Sequence, residues 1–153
     1  PRLHVAQANT TGDELLDAAE IVVETYKVHT KESKIPVKMI VNTGGTKFIE
    51  HLFNGNFVRG NLPGVDLFAI SSKHGALQYV AKTGKIIDFS GKRKEWLTAI
   101  KNCKTAIIFH YDIISEGIDI DGITGTLIMR NNGLAKLIQI VGRTVRLDFE
   151  RSG

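Results

Sequence analysis

The chain has 153 residues, of which 42% are hydrophobic, and it carries a formal net charge of +4 with an isoelectric point near 9.3. This apolar content suffices for one core, so we expect residues 1–153 to form a single domain. No apolar run is long enough to span a bilayer, and we expect a cytoplasmic protein with no membrane partner. One cysteine excludes an internal disulfide, and no metal-ligand spacing occurs. The mild positive charge favours polyanionic partners.

The order of apolar patterns predicts an α/β fold. Runs rich in β-branched residues indicate strands, and apolar residues at three- and four-residue spacing indicate helices. In chain order these patterns predict a helix over 11–26, a strand over 37–41, a short helix around 48–53, strands over 65–70 and 85–88, a helix over 91–102, strands over 105–109 and 125–129, and a helix over 134–146. Strands that alternate with helices predict a largely parallel sheet with helices on both faces.

Details of the connections complete this prediction. The spacing from Thr11 to Glu14 is that of a capping box and predicts where the first helix begins. Polar residues predict a connector over 27–36, and a loop rich in glycine and asparagine is predicted over 54–63. Ser90 is the predicted cap of the helix over 91–102. Cys103 is expected to be a small core residue, and His110 a loop or packing residue.

Polar residues follow two predicted strands at their carboxyl ends, where open parallel sheets bind ligands. Thr43 and Gly44 lie in the turn after the strand over 37–41. Ser71 and Lys73 follow the strand over 65–70. An ordinary tight turn or a solvated loop would use the same residue types, so these are candidate binding residues by position only.

The segment from Tyr111 to Ile120 follows the apolar strand over 105–109. It contains acids, a serine and a glycine, namely Asp112, Ser115, Glu116, Gly117 and Asp119. Such a loop lies where ligands bind, and its glycine allows the main chain to approach a ligand closely. Taken singly, Glu116 or Asp119 would suit an ordinary turn.

The last predicted helix would place an amide and two guanidinium groups together. At about 100° per residue, Gln139, Arg143 and Arg146 fall on one helical face. Apolar residues such as Leu137 and Val141 would face the opposite way. Two forked cations suit a phosphate group. A solvated, charged helix surface is the alternative interpretation.

Residues 139–146, with the sequence QIVGRTVR, fill the four characteristic positions of motif VI of the superfamily-two nucleic-acid helicases. Residues 111–120 resemble motif V of the same enzymes, and residues 42–46 resemble motif IV by position. A strand separates the first two segments, as it does in that family. From roughly Val37 to Arg146, the chain resembles the second RecA-like motor domain of such a helicase or translocase. The resemblance implies a RecA-like three-layer α/β/α fold.

The resemblance also implies roles for the site residues. Arg143 and Arg146 would act as arginine fingers on the terminal phosphate of ATP, and Gln139 would bond the same phosphate or the attacking water. The nucleotide would also lie near Glu116, Gly117 and Asp119. Backbone phosphates of a nucleic acid would bind along the loops, at Thr43, Gly44, Ser71, Lys73, Asp112 and Ser115.

Other features of the family are missing from this sequence. No glycine loop of the Walker type occurs, so ATP and Mg²⁺ are expected to bind mainly to a preceding RecA-like domain of the same protein. We therefore expect the chain to be a fragment that does not hydrolyse ATP alone. Tyr111 stands where the family often has threonine, so one of the family's contacts to a backbone phosphate is not expected here.

Two alternatives stay open. A double-strand DNA translocase of the restriction or remodelling type would use the same domain without separating strands. A doubly wound domain that binds a small phosphorylated ligand would need no motor partner. Gln139 and the sequence SEGID at 115–119 favour DNA over RNA as the partner, because DEAD-box RNA helicases begin motif VI with His and Arg.

Overall fold

The computed structural model describes residues 3–7, 13–111, 118–120, 122–129, 134–139 and 145–147. For residues 3–7, 118–119, 134–139 and 145–147 the description covers the main chain alone. Within these ranges the helices are α1 (Glu14–Glu32), α2 (Thr46–Asn54), α3 (Asn56–Asn61) and α4 (Arg93–Asn102). The strands are β1 (Leu3–Gln7), β2 (Lys38–Asn42), β3 (Asp66–Ser71), β4 (Gly75–Val80), β5 (Lys85–Asp88), β6 (Ala106–His110), β7 (Ile118–Ile120), β8 (Gly125–Met129), β9 (Leu134–Gln139) and β10 (Val145–Leu147).

Parallel strands form the centre of the main sheet. The order of its described strands is β1-β9-β8-β2-β6-β3-β4-β5. Strand β2 pairs in parallel with both β6 and β8, and β3 pairs in parallel with β6. The pairs nearer both edges are antiparallel, and β7 and β10 form a separate antiparallel ladder. The predicted α/β class with a parallel centre is confirmed, and antiparallel flanks extend it.

Two hydrophobic cores lie on opposite faces of this sheet. Met39 and Val41 of β2 pack into the core formed with α1, α2 and α3. Ile40, which lies between them, packs into the core formed with Trp96 and Ile100 of α4. Alternate residues of a strand point to opposite faces, so an unbroken apolar run is what a strand covered on both faces requires. The three layers of a RecA-like α/β/α domain follow from this pattern.

The first helix differs from its prediction at both ends. Asp13 caps α1, and its side-chain Oδ1 accepts hydrogen bonds from the amides of Leu15 at 3.0 Å and Leu16 at 3.2 Å. The predicted cap, Thr11, lies outside the described residues. The helix continues to Glu32, so the connector predicted from residue 27 was wrong. The buried ring of His29 lies 2.9 Å from the Thr124 hydroxyl, and this contact holds the last turns against the sheet.

Two predictions in the middle of the chain were also wrong. The predicted loop over 54–63 contains α3, because Val58 is buried in the core beneath it. Ser90 does not cap α4, whose cap position is occupied by Lys92. Gly91 has φ +78°, a left-handed conformation, so the chain turns between Ser90 and the helix.

The predicted helix over 134–146 is the largest correction. Residues 134–139 form β9, which pairs with β8 on one side and β1 on the other, and residues 145–147 form β10. The spacing of Leu134, Leu137 and Ile138 suits a helix, but two ladders of main-chain hydrogen bonds favour a strand. Gln139 and Arg146 lie on different strands and therefore do not share a helical face, and Arg143 lies outside the described residues.

The remaining predicted elements are confirmed within a residue or two. They are the strands near 37–41, 65–70, 85–88, 105–109 and 125–129 and the helices near 48–53 and 91–102. Strands β1, β4 and β7 were not predicted, and β7 lies at the end of the segment 111–120 that was predicted as a loop. None of the described helices is both long enough and apolar enough to cross a bilayer.

Candidate functional site

The carboxyl ends of three parallel strands lie level at one edge of the sheet, which we call the carboxyl edge. His110 pairs with Asn42 of β2 and with Ile70 of β3. The next residues along the three strands, Thr43, Tyr111 and Ser71, therefore follow at the same height. Ligands of parallel sheets bind at this edge. The structure thus brings together two of the residues that the sequence predicted for binding, one from each of two strands.

Thr43 fastens the turn after β2 to the neighbouring strand. Its amide donates a hydrogen bond to the His110 carbonyl at 2.9 Å. Its hydroxyl donates to the Gly45 carbonyl at 3.1 Å and lies 3.3 Å from the same His110 carbonyl. Only 2% of the residue is exposed, so its hydroxyl serves the turn. What this turn presents to a ligand is its main chain around the partly exposed Gly44.

The turn leads into the amino end of α2. No side chain caps this helix, whose cap position is Gly45. The first amides of a helix have no partner within it, and the helix dipole adds a partial positive charge there. An anion such as a phosphate is favoured at that position.

The turn after β3 is anchored at both ends. Ser71 is 3% exposed, and its hydroxyl accepts a hydrogen bond from the His74 amide at 2.9 Å. The His74 ring lies 3.7 Å from a carboxylate oxygen of Glu50 on α2. Lys73, at the tip of the turn, is exposed. The turn is therefore held on the protein while its lysine faces solvent.

A cavity of about 320 Å³ opens between this turn and the start of α4. Ser71, Gly75, Gly91 and Arg93 are among the residues that line it. Gly75 has φ +71°, and a Cβ there would collide with the Ser90 hydroxyl, so the two turns pack directly on each other. Arg93 is not among the residues that the sequence predicts for the site. Its link to Ser71 depends on a contact between turns that are distant along the chain.

His110 occupies the buried end of β6. It is 2% exposed, and burial lowers the pKa of its imidazole from 6.5 to about 3. The ring therefore stays neutral at physiological pH. The prediction of a packing residue is confirmed. Among the described residues, no group of three or more histidine, cysteine or acidic side chains is arranged to hold a metal ion.

The β7–β10 ladder connects the two segments that resemble motifs V and VI. Asp119 of β7 is the register partner of Arg146 of β10, which makes their main chains neighbours. Gln139 lies at the end of β9, opposite Gly125 of β8 in the main sheet. The remaining predicted residues lie outside the part of the chain that the structure describes, and these are Asp112, Ser115, Glu116, Gly117 and Arg143.

The comparison with protein families agrees with this arrangement. The family model of the helicase conserved C-terminal domain matches residues 61–148, more than half of the chain, and spans both motif-like segments. No curated protein and no solved structure matches the chain significantly. The predicted resemblance to a helicase C-terminal domain is confirmed, and the chain belongs to the family of helicase conserved C-terminal domains.

Proposed function

We propose that this chain is the second motor domain of an ATP-dependent nucleic-acid helicase or translocase, to which it supplies arginine fingers and contacts to the nucleic-acid backbone. The observation that carries the proposal is the register pair of Asp119 with Arg146 inside the family match. One residue comes from the segment resembling motif V and the other from the segment resembling motif VI. In the proposed function, the carboxylate of Asp119 would serve a ribose hydroxyl and the guanidinium of Arg146 would serve a phosphate. The family match favours this function over a stand-alone domain for a small phosphorylated ligand.

The catalytic work would be divided between two domains of the same protein. A preceding RecA-like domain would hold ATP and Mg²⁺, which supply the phosphoryl group and neutralise its charge. Arg143 and Arg146 of this chain would donate hydrogen bonds to the phosphoryl oxygens during transfer to water, an effect worth about 10³ to 10⁵ in rate. Gln139 would hold the phosphate or the attacking water. Because Gln139 and Arg146 belong to different strands, we propose that they approach the phosphate from two sides.

The contact between the preceding RecA-like domain and this chain would also involve the segment before β7. Gly117 would allow close contact between the domains, with Glu116 and Asp119 beside the nucleotide.

The nucleic acid would cross the carboxyl edge and be held by its phosphates. Support comes from the uncapped start of α2 near Thr43 and Gly44, from the exposed Lys73, and from the cavity that joins Ser71 to Arg93. Asp112 and Ser115 would extend this path. Backbone contacts of this kind carry little sequence information and weaken as salt rises. We propose DNA as the partner over RNA because Gln139 stands at the first position of the motif VI segment.

The substitution Arg146→Ala tests the finger in a protein that contains both motor domains. The ATPase rate should fall at least about a hundredfold while nucleotide affinity changes little, because a finger acts chiefly in the transition state. Lys101→Ala, which removes an exposed cation from the last turn of α4, is the control and should leave the rate unchanged. Equal losses in the two variants, or an unchanged rate in Arg146→Ala, would contradict the assignment.

A further inference from the structure

An exposed aromatic side chain stands at the carboxyl edge. Tyr111 is 43% exposed, although it directly follows β6, whose residues are all buried. Four other large apolar side chains in the described part of the chain are exposed, and none is at this edge. They are Val28 and Ile35 near the end of α1 and Ile86 and Ile87 on the edge strand β5. Of these five exposed side chains in the described part of the chain, Tyr111 is the one at the edge where the ligand is proposed to bind.

The main chain is held in place up to the residue before this tyrosine. Strand β6 is bonded to β2 on one side and to β3 on the other, up to His110. The His110 carbonyl also accepts the Thr43 amide at 2.9 Å, which ties the turn after β2 to the residue before Tyr111. A tyrosine side chain has two rotatable torsions, so a ring presented from a fixed main chain loses little entropy when it binds a ligand.

The neighbours of Tyr111 suit the strand of a nucleic acid. Thr43 and Ser71 flank it at the same height, and each begins a turn in which the proposed phosphate contacts lie. A flat aromatic ring between phosphate-binding turns is the arrangement that single-strand binding surfaces use, because bases stack on the ring while the backbone is held by its charge. Inside a duplex the flat faces of the bases already stack on one another, so bases in its interior cannot stack on such a ring.

We propose that Tyr111 is a stacking subsite for an unpaired nucleobase, and that it gives this domain a preference for single-stranded nucleic acid over duplex. The proposal rests on the proposed function, since it requires a nucleic acid at the carboxyl edge. Threonine, which the family often has here, is replaced by tyrosine, whose hydroxyl lies at the far end of an aromatic ring. The contact to a backbone phosphate is thereby exchanged for a contact to a base.

Binding of the 153-residue chain to three probes tests the proposal. The probes are a thymidine oligonucleotide, an abasic oligonucleotide of the same length, and a duplex. The affinity for each probe is measured by fluorescence anisotropy at one fixed salt concentration. The wild-type chain should bind the thymidine strand roughly tenfold more tightly than the abasic strand. Tyr111→Ala should abolish this difference without changing affinity for the abasic strand. Tyr111→Phe and Tyr111→Trp should preserve it.

Two further measurements separate stacking from other effects. Ile35→Ala, which trims an exposed apolar side chain away from the carboxyl edge, should bind all three probes as the wild type does. An oligonucleotide carrying 5-bromouracil should form its photochemical cross-link at Tyr111, as mapped by mass spectrometry. A merely structural role of the tyrosine would not produce that cross-link.

The outcomes distinguish the two proposals. If the wild-type chain binds the thymidine and abasic strands equally, and Tyr111→Ala changes neither affinity, the stacking subsite is wrong while backbone binding stands. Tighter binding to the duplex than to the thymidine strand would also overturn the subsite. If none of the probes binds, the proposed nucleic-acid contacts fail, and the stacking subsite fails with them.

Discussion

The two ends of the central strands use their polar residues differently. At the amino ends, polar groups bond to one another inside the protein, as the Tyr26 hydroxyl does with the Val37 carbonyl at 3.1 Å and the His29 ring with Thr124 at 2.9 Å. At the carboxyl ends, hydroxyl groups anchor the turns after β2 and β3, and the side chains of Lys73 and Tyr111 are exposed to solvent. Polar residues thus stabilise the domain at one end and anchor the turns of the proposed binding surface at the other.

The pKa shifts at the amino ends agree with this division. Burial raises the pKa of the Tyr26 phenol to about 12. Burial, with the neighbouring Asp66 carboxylate, raises the pKa of the Cys103 thiol to about 12. Both groups therefore stay protonated at physiological pH. A thiol held in this state is a poor nucleophile, which supports the structural role predicted for Cys103.

The largest effect on stability is expected from Asp66 at the amino end of β3. Its carboxylate accepts hydrogen bonds from the Gln78 amide at 3.0 Å, the Ala81 main-chain amide at 3.0 Å and the Cys103 thiol at 3.4 Å. Asp66→Ala leaves these donors without their acceptor and should lower the free energy of unfolding by about 3 kcal/mol, as measured in urea.

Asp88→Ala is the matched control for this substitution. Asp88 is exposed on β5, and its side chain accepts from the Ser90 amide at 2.8 Å. Its removal should lower the free energy of unfolding much less than the removal of Asp66 does, because solvent replaces the lost bond of an exposed carboxylate. Comparable losses in the two variants would show that the amino-end cluster is no more important for folding than an exposed turn.

A second, smaller effect is expected at the carboxyl edge. Gly75→Ala and Gly64→Ala both place a side chain at a left-handed φ, +71° and +82° respectively. Only Gly75 would bring its new Cβ against another residue, Ser90, whereas Gly64 faces open space. Gly75→Ala should therefore lower the free energy of unfolding by about 1–2 kcal/mol more than Gly64→Ala does.

The collision can be relieved within the same pair of turns. Adding Ser90→Ala to Gly75→Ala removes the hydroxyl that the new Cβ meets, and it should recover part of the extra loss. An additive double variant would indicate that the strain at Gly75 is not caused by Ser90.

The buried imidazole at the end of β6 predicts a pH dependence. The pKa of His110 is about 3 in the folded protein and near 6.5 in the unfolded chain. Below pH 6.5 the unfolded chain therefore binds a proton that the folded protein does not, and stability falls with the pH toward 3. The full contribution of the neutral ring is present above pH 6.5.

His110→Gln, which has no titrating group, tests this linkage. Between pH 7 and pH 5.5, the wild-type chain should lose about 1 kcal/mol more of its unfolding free energy than the variant. Urea unfolding at several pH values measures the difference. Parallel stability profiles for the two proteins would mean that the folded protein accommodates the protonated ring.

Most of the strands that local patterns predicted are buried along their length, and the exposed strand β5 is the exception. Strands β2, β3 and β6 are apolar over nearly their whole length because both faces are covered, and their order along the chain predicts the carboxyl edge. The pairing of β9 with β1 joins residues 134–138 to residues 3–7, almost the full chain apart. No local pattern reports such a distant partner, and residues 134–139 suit a helix as well as a strand until that partner is known.

The same limit applies to the candidate site. Parallel topology places Thr43 and Ser71 at one edge, and both predictions of position follow from the strands that precede them. The bonds made by their hydroxyls depend on Gly45, His110 and His74, which the sequence does not identify as partners. Tyr111 was visible as a departure from a motif. Its exposure required the structure.

The smallest stability effect and the clearest functional contrast are expected from two lysines at opposite ends of β4. Lys73 lies in the turn at the carboxyl edge, and Lys82 lies in the turn at the other end of the strand; both are exposed. Replacing either by alanine should change the free energy of unfolding by less than about 0.5 kcal/mol.

If Lys73 contacts a phosphate, Lys73→Ala should reduce the slope of log affinity for single-stranded DNA against log salt by about 0.7, whereas Lys82→Ala should leave it unchanged. The test is sharp because the two variants lose the same charge, so a decrease from net charge alone would appear equally in both. Equal slopes in the two variants would show that Lys73 does not contact the nucleic acid. The proposed path of the nucleic acid would then lie closer to the cavity at Arg93.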